Sequence, residues 1–173
     1  MKIQPISPSQ YAESIAVITK GFAGAPHKGG HEGDLVEKLR QSATYHPDYD
    51  VIAEDDAGRI IGSALLSAAT IVGEKQTWPV FVLGPLAVLP DAQHQSVGSN
   101  LIAYLEMQAG EDERRAISIL GDPAYYGRFG YKPASQYGIT GPFAGPEFMI
   151  KPIREGGLYN VAGRLVYDPA FGL

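Results

Sequence analysis

Apolar residues recur along this chain with two different periods, and the periods divide it into elements. Tyr11, Ile15 and Ile18 fall at helical spacing and predict a helix closing at Gly21. Ser7 and Pro8 ahead of them supply an N-cap and a proline at the first helical position. A second helix is expected over residues 32–42, with Leu35, Val36 and Leu39 inward. A third is expected over 98–109, with Leu101, Ile102, Leu105 and Met107 toward the core. Strands are expected at 3–6, at 51–54 and 60–72 around the turn Asp56-Ala57-Gly58-Arg59, and at 77–88. Residues 116–120 read as a short apolar strand buried on both faces. Asp122-Pro123 then opens a short helix carrying Tyr125, Tyr126 and Phe129, closed by Gly130. Residues 148–153 and 163–167 are the last strands, and the glycine-rich stretch 24–31 is expected to be a mobile loop. That order predicts one domain over residues 1–173, an α/β fold with a mixed sheet and helices on both faces.

The stretch 80–105, VFVLGPLAVLPDAQHQSVGSNLIAYL, departs from simple periodicity. Pro85 has no N–H to give a sheet ladder, so in mid-strand it predicts a bulge or a strand leaving its neighbour. The polar loop from Gln93 to Ser99 follows and opens a helix. Backbone N–H groups at the positive end of a helix dipole suit a phosphate. Unpaired strand groups beside such a loop suit an extended, amide-bearing arm.

Composition narrows the chemistry. With 45% apolar and 19% charged residues, the 173-residue chain is an ordinary globular sequence able to bury a core without metal or disulfides. A net charge of -5 argues against nucleic acid as a partner. There is no cysteine, so disulfides, thiolate metal sites and a cysteine nucleophile are excluded. His27 and His31 lack a third ligand nearby, so no metal is expected. No segment reads as a signal peptide or a membrane span, so a cytoplasmic protein without a membrane partner is expected. A homodimer is compatible with the chain.

Two motifs carry a resemblance. Gln93-His94-Gln95-Ser96-Val97-Gly98-Ser99 resembles the acyl-CoA signature of the GNAT superfamily of N-acetyltransferases, Q/R-x-x-G-x-G/A. Tyr125-Tyr126-Gly127-Arg128-Phe129-Gly130-Tyr131 resembles the segment after that family's fifth strand, in a branch of predicted acetyltransferases carrying YY-x-RFGF. The resemblance implies the acyl-CoA N-acyltransferase fold: a largely antiparallel sheet of about six to seven strands, splayed at a bulged fourth strand. It implies acetyl-CoA as co-substrate and an amine of a small molecule or protein as acceptor. The pyrophosphate would sit on the amides of Gln93, His94, Gln95, Ser96, Val97, Gly98 and Ser99. The pantetheine would pair with Leu86, Ala87 and Val88. Tyr126 matches the family's general acid by position, with Tyr125 as second choice near the cofactor. Ser96 stands where the family has its first glycine; if that position demands a positive φ, serine carries a strain of roughly 1 kcal/mol or somewhat more.

The residues leave alternatives open. A tyrosine picked at random is more often a packing residue whose hydroxyl meets a backbone carbonyl. No carboxylate lies in the strand over 77–88. Glu32, His31 and Asp122 are therefore candidates for the general base, each with a capping or solvated role as its simpler reading. A non-catalytic acyl-CoA sensor or scaffold is the rival to an enzyme.

Overall fold

Turn residues between short apolar runs produce a strand-rich chain. The structure, a computed structural model, describes residues 1–25 and 30–173. The first strand, β1 (Lys2–Pro5), is followed by α1 (Tyr11–Phe22), α2 (Glu32–Arg40), β2 (Asp50–Glu54), β3 (Ile60–Val72) and β4 (Thr77–Val88). Then come α3 (Val97–Gly110), β5 (Ala116–Leu120), α4 (Pro123–Tyr126), β6 (Lys132–Pro133), β7 (Ile139–Thr140), β8 (Phe148–Pro152) and β9 (Gly163–Val166). The sheet order is β1-β2-β3-β4-β5-β8-β6, with β9 paired to β3 and to β7. The β4–β5 and β7–β9 pairs are parallel, and β1–β2, β2–β3, β3–β9, β5–β8 and β6–β8 are antiparallel. The mixed, largely antiparallel sheet is as expected. The number of strands among the described residues is nine rather than six or seven, because β6 and β7 are two-residue strands too short to show a period. Part of the glycine-rich stretch, including His27, lies outside the described residues.

The chain forms two compact units, Met1–Leu66 with Pro85–Gln108, and Ser67–Gly84 with Ala109–Leu173. In the first, a 3-10 turn at Pro8–Gln10 leads into α1, and the Ser7 N–H donates to Gln10 Oε1 at 3.0 Å. The buried stripe of α1 is Ser14, Val17 and Ile18, while Tyr11 and Ile15 are half-buried. The stripe is turned toward Ser14 by a buried polar cluster. Arg40 Nε donates to Asp50 Oδ2 at 2.8 Å, and Arg40 Nη2 to Ser14 Oγ at 2.9 Å. Tyr45 also donates to Asp50, at 3.1 Å, and the Arg40 guanidinium lies 4.1 Å from the centre of the Tyr11 ring. Burial, reinforced by its Tyr11 hydrogen bond and the Asp50 charge, pushes the Tyr45 phenol well above its usual pKa.

On α3, Leu101, Ile102 and Leu105 are buried as expected, but Met107 is 61% exposed. Two residues beyond Leu105 is about 200° around the helix, so Met107 faces away and Ala109 takes the buried place. Gly62 of β3 sets how closely α3 begins: a Cβ there would stand 2.8 Å from Val97 Cγ1 and 3.0 Å from Leu101 Cδ1.

In the second unit, β4 pairs with β5 only over Phe81–Leu83 against Ile117–Ile119. Residues 116–120 are not wholly apolar: buried Ser118 donates to the Met149 carbonyl at 3.1 Å, and Leu120 is half exposed, so the strand's end is not covered on both faces. Ile71, Trp78, Val80, Phe148, Ile150 and Leu165 form the centre of this unit's core.

The buried cluster generates a prediction. The Arg40 and Asp50 side chains are only 5% and 1% exposed, so Asp50→Ala leaves an unpaired buried cation. Urea unfolding should show a loss of about 3–5 kcal/mol, whereas the double variant Arg40→Met/Asp50→Leu should lose far less. A single-variant loss below about 1 kcal/mol contradicts this reading.

Candidate functional site

The loop ahead of α3, in the first unit, holds an unusual backbone. After a 3-10 turn at Pro90–Ala92, Gln93 is extended with φ -66° and ψ 158°. His94 and Ser96 then adopt φ 61° and 63°, in the left-handed region. Among the described residues only three non-glycine positions have positive φ, and two are here. Each costs roughly 1–2 kcal/mol and persists only where surroundings over-determine it. The condition attached to Ser96 is therefore met, and His94 shares it.

Side chains and turns brace this conformation. Gln93 Nε2 donates to the Val88 carbonyl at 3.3 Å and Gln95 Nε2 to the Asp91 carbonyl at 3.0 Å. The Ser96 carbonyl accepts from the Asn100 N–H at 3.0 Å and from Ser99 Oγ at 3.1 Å. Arg59 Nη1 lies 2.8 Å from Asp91 Oδ2, which offsets the acidic charge of Asp91 beside the loop. Outside the helices and strands, no close backbone hydrogen bond donated by an N–H of 93–99 is found among the described residues. Left-handed residues ahead of a helix turn such N–H groups into an anion-binding concavity. Gln93, His94, Gln95 and Ser96 are exposed. Val97 is buried against Gly62, so only its backbone remains for a ligand. Gly98 is buried and Ser99 half-buried.

The end of β4 belongs to the same unit. Leu86 and Val88 are half-buried and Ala87 is 3% exposed. The Leu89 N–H donates to the Ile61 carbonyl at 2.9 Å, tying the strand's exit to β3. Gly21 of α1 lies against this backbone: a Cβ there would meet Ala87 Cβ at 3.0 Å and the Val88 carbonyl oxygen at 3.1 Å. The structure thus brings Leu86, Ala87 and Val88 into one unit with the loop.

Tyr125 and Tyr126 lie in the second unit. Asp122 caps α4 by accepting the Ala124 N–H at 2.9 Å, and Gly130, at φ 91°, closes the following 3-10 turn. The Tyr126 ring meets Tyr125 edge-on at 4.9 Å and Tyr131 at 6.0 Å. Tyr125 is half-buried, edge-on to Phe129, with the Arg128 guanidinium 4.7 Å from its ring centre. No hydrogen bond from the Tyr126 hydroxyl is found among the described residues. Burial, with Tyr125 adding to it, pushes the Tyr126 phenol well above its ordinary 10.

The candidate bases are otherwise engaged or exposed. Asp122 is the α4 cap, His31 is exposed with Nδ1 3.4 Å from Asp34, and Glu32 is the first residue of α2. Among the described residues no group of three or more His, Asp or Glu could hold a metal. No described helix is long and apolar enough to cross a membrane. Sequence reasoning missed the left-handed His94 and the Arg59–Asp91 pair. A positive φ is uncommon at any non-glycine residue, and a contact between residues 59 and 91 leaves no local signal.

Residues 47–133, about half of the chain, match the family model described as an acetyltransferase (GNAT) domain. The uncharacterized N-acetyltransferase YjhQ of Escherichia coli K12 is 32% identical over 67% of this chain, which spans 64% of that relative's length. The uncharacterized N-acetyltransferase YhbS of the same strain is 29% identical over 81% of this chain and 83% of its own. Among solved structures, the GNAT family N-acetyltransferase YhbS from Escherichia coli in complex with CoA superposes with a TM-score of 0.85. It is 26% identical and covers 99% of this chain and 92% of that one. A GNAT family acetyltransferase from Brucella melitensis in complex with acetyl-CoA gives a TM-score of 0.77 at 26% identity, covering 98% and 97%.

The backbone strain at Ser96 can be measured. Ser96→Gly should leave the unfolding free energy unchanged or raise it by up to about 1 kcal/mol, and Ser96→Val should lower it by about 1–2 kcal/mol. Equal stability of the two variants contradicts a left-handed residue at this position.

Proposed function

Because this chain belongs to the GNAT family of acetyl-CoA-dependent acetyltransferases, we propose that it transfers the acetyl group of acetyl-CoA directly to a primary amine of a small molecule or protein. The observation that carries this reading is the left-handed loop at His94 and Ser96 with its uncommitted N–H groups. Its donor set fits a pyrophosphate, a doubly anionic group without sequence-specific shape. The CoA and acetyl-CoA complexes of the two structural relatives support the same assignment.

The roles follow from chemistry. Acetyl-CoA supplies an acetyl group activated as a thioester. The N–H groups from Gln93 to Ser99 hold the diphosphate, and the backbone of Leu86, Ala87 and Val88 aligns the amide arm and donates to the oxygen that gains charge as the amine attacks. A C–N bond forms, the C–S bond breaks, and the amine's proton is lost to solvent. Tyr126 meets the departing sulfur. Its phenol, held above 10 by burial, is a weaker acid than a thiol near 8.5. Full proton transfer is therefore uphill, and Tyr126 acts by donating a hydrogen bond to the developing thiolate while keeping its own proton. Tyr125 packs against Tyr126 and flanks the cofactor.

The rival is an acyl-CoA-binding module without turnover, favoured by the absence of a carboxylate from β4. Purified protein with acetyl-CoA and a broad amine panel separates the two. Thiol release above the protein-free rate is expected. Release no faster than that rate, with CoA still binding, overturns the enzyme reading in favour of the module. Tyr126→Phe should lower kcat by about ten- to a thousand-fold while CoA affinity is kept. An unchanged kcat removes Tyr126 from the mechanism.

The raised phenol also sets a pH expectation. A group whose folded pKa lies above 10 stays protonated throughout the neutral and mildly alkaline range, so kcat should show no fall due to Tyr126 below about pH 10. An alkaline fall near pH 8–9 that disappears in Tyr126→Phe contradicts this.

A further inference from the structure

The Tyr126 ring rests directly on Gly121. A Cβ at position 121 would stand 2.4 Å from Tyr126 Cε2, 2.8 Å from Cδ2 and 3.4 Å from Cζ. Real Cβ contacts essentially never come under 3.0 Å, so every other residue type displaces this ring. The backbone itself does not ask for glycine, since Gly121 is not among the residues with positive φ. The requirement comes from the ring alone.

Both sides of the contact are anchored. The Gly121 N–H donates to the Glu147 carbonyl at 3.0 Å, which fixes the floor beneath the ring. The Tyr126 N–H donates to the Asp122 carbonyl at 3.0 Å, so the ring's own backbone is held next to that floor. The edge contacts with Tyr125 and Tyr131 close two further sides. Residue 121 and Tyr126 are both only half-buried. A displaced ring therefore has solvent to move into, and the unit need not unfold when it moves.

We propose that Gly121 is a positioning residue for acetyl transfer: its missing side chain forms a slot that sets where the Tyr126 hydroxyl stands. The proposal rests on the role given above to Tyr126. A side chain at 121 shifts the phenol by an ångström or more, and displacements of that size can cost about a hundredfold in rate.

The test is a double-variant comparison of Gly121→Ala, Tyr126→Phe and the pair, with kcat followed by thiol release and CoA binding followed by calorimetry. Gly121→Ala is expected to lower kcat at least tenfold with the Kd for CoA within twofold of the starting protein. In the Tyr126→Phe background the same change should lower kcat by no more than a further twofold, because the hydroxyl it displaces is already gone. Ultraviolet titration gives a readout independent of turnover: in Gly121→Ala one tyrosine should titrate nearer pH 10 as the ring leaves its slot. A Gly121→Ala protein with unchanged kcat and unchanged titration, beside an impaired Tyr126→Phe, sinks the positioning role alone. Equal, multiplicative losses in both backgrounds also overturn it. An unimpaired Tyr126→Phe removes the role of the phenol and this inference with it.

Discussion

A proline without an N–H at the middle of a long strand is the constraint on which the rest of the site depends. Strand β4 runs from Thr77 to Val88, yet its parallel ladder with β5 covers three positions and stops at Leu83. Gly84 and Pro85 follow, and the boundary between the two compact units falls between them. Pro85 cannot donate to a ladder, and the pairing with β5 ends two residues before it. Beyond it the strand enters the first unit and exits through the Leu89–Ile61 hydrogen bond, delivering the chain to the 3-10 turn and the left-handed loop.

That loop is unfavourable by itself, and its neighbours hold it. Two non-glycine residues at φ near 60° cost together a few kcal/mol. Against this stand the Gln93 and Gln95 side-chain bonds to the preceding carbonyls and the close seat of α3 on Gly62, which fixes where the helix begins. The Arg59–Asp91 pair adds little energy, being exposed, but it neutralises a carboxylate that would repel an anion. Backbone strain of this kind gathers at ligand sites, because the same torsions that cost energy turn the N–H groups outward.

How much of this was legible in the sequence follows from the range of each interaction. The break at Gly84-Pro85, the loop from Gln93 and the capped turn at Asp122-Pro123 are local, written in residues whose backbone chemistry is restrictive, and they stand where expected. The period of α3 gave its core but not Met107, which lies about 200° around the helix from Leu105 and faces away. The Arg40–Asp50–Tyr45 cluster was invisible because a buried ion pair looks, in sequence, like a helix-end cation and a turn acid. The contact between Gly121 and the Tyr126 ring was equally hidden: five residues apart, they meet only because the β5 exit and α4 fold back on each other.

The central claim is that the amides of residues 93–99 grip the diphosphate of CoA. A titration of nitrogen-15-labelled protein with CoA, followed through backbone amide resonances, addresses it most directly. The account predicts the largest shifts at His94, Gln95, Ser96 and Val97, saturating with a single affinity and reproduced in part by pyrophosphate alone. Saturable CoA binding that leaves those amides unmoved would contradict it.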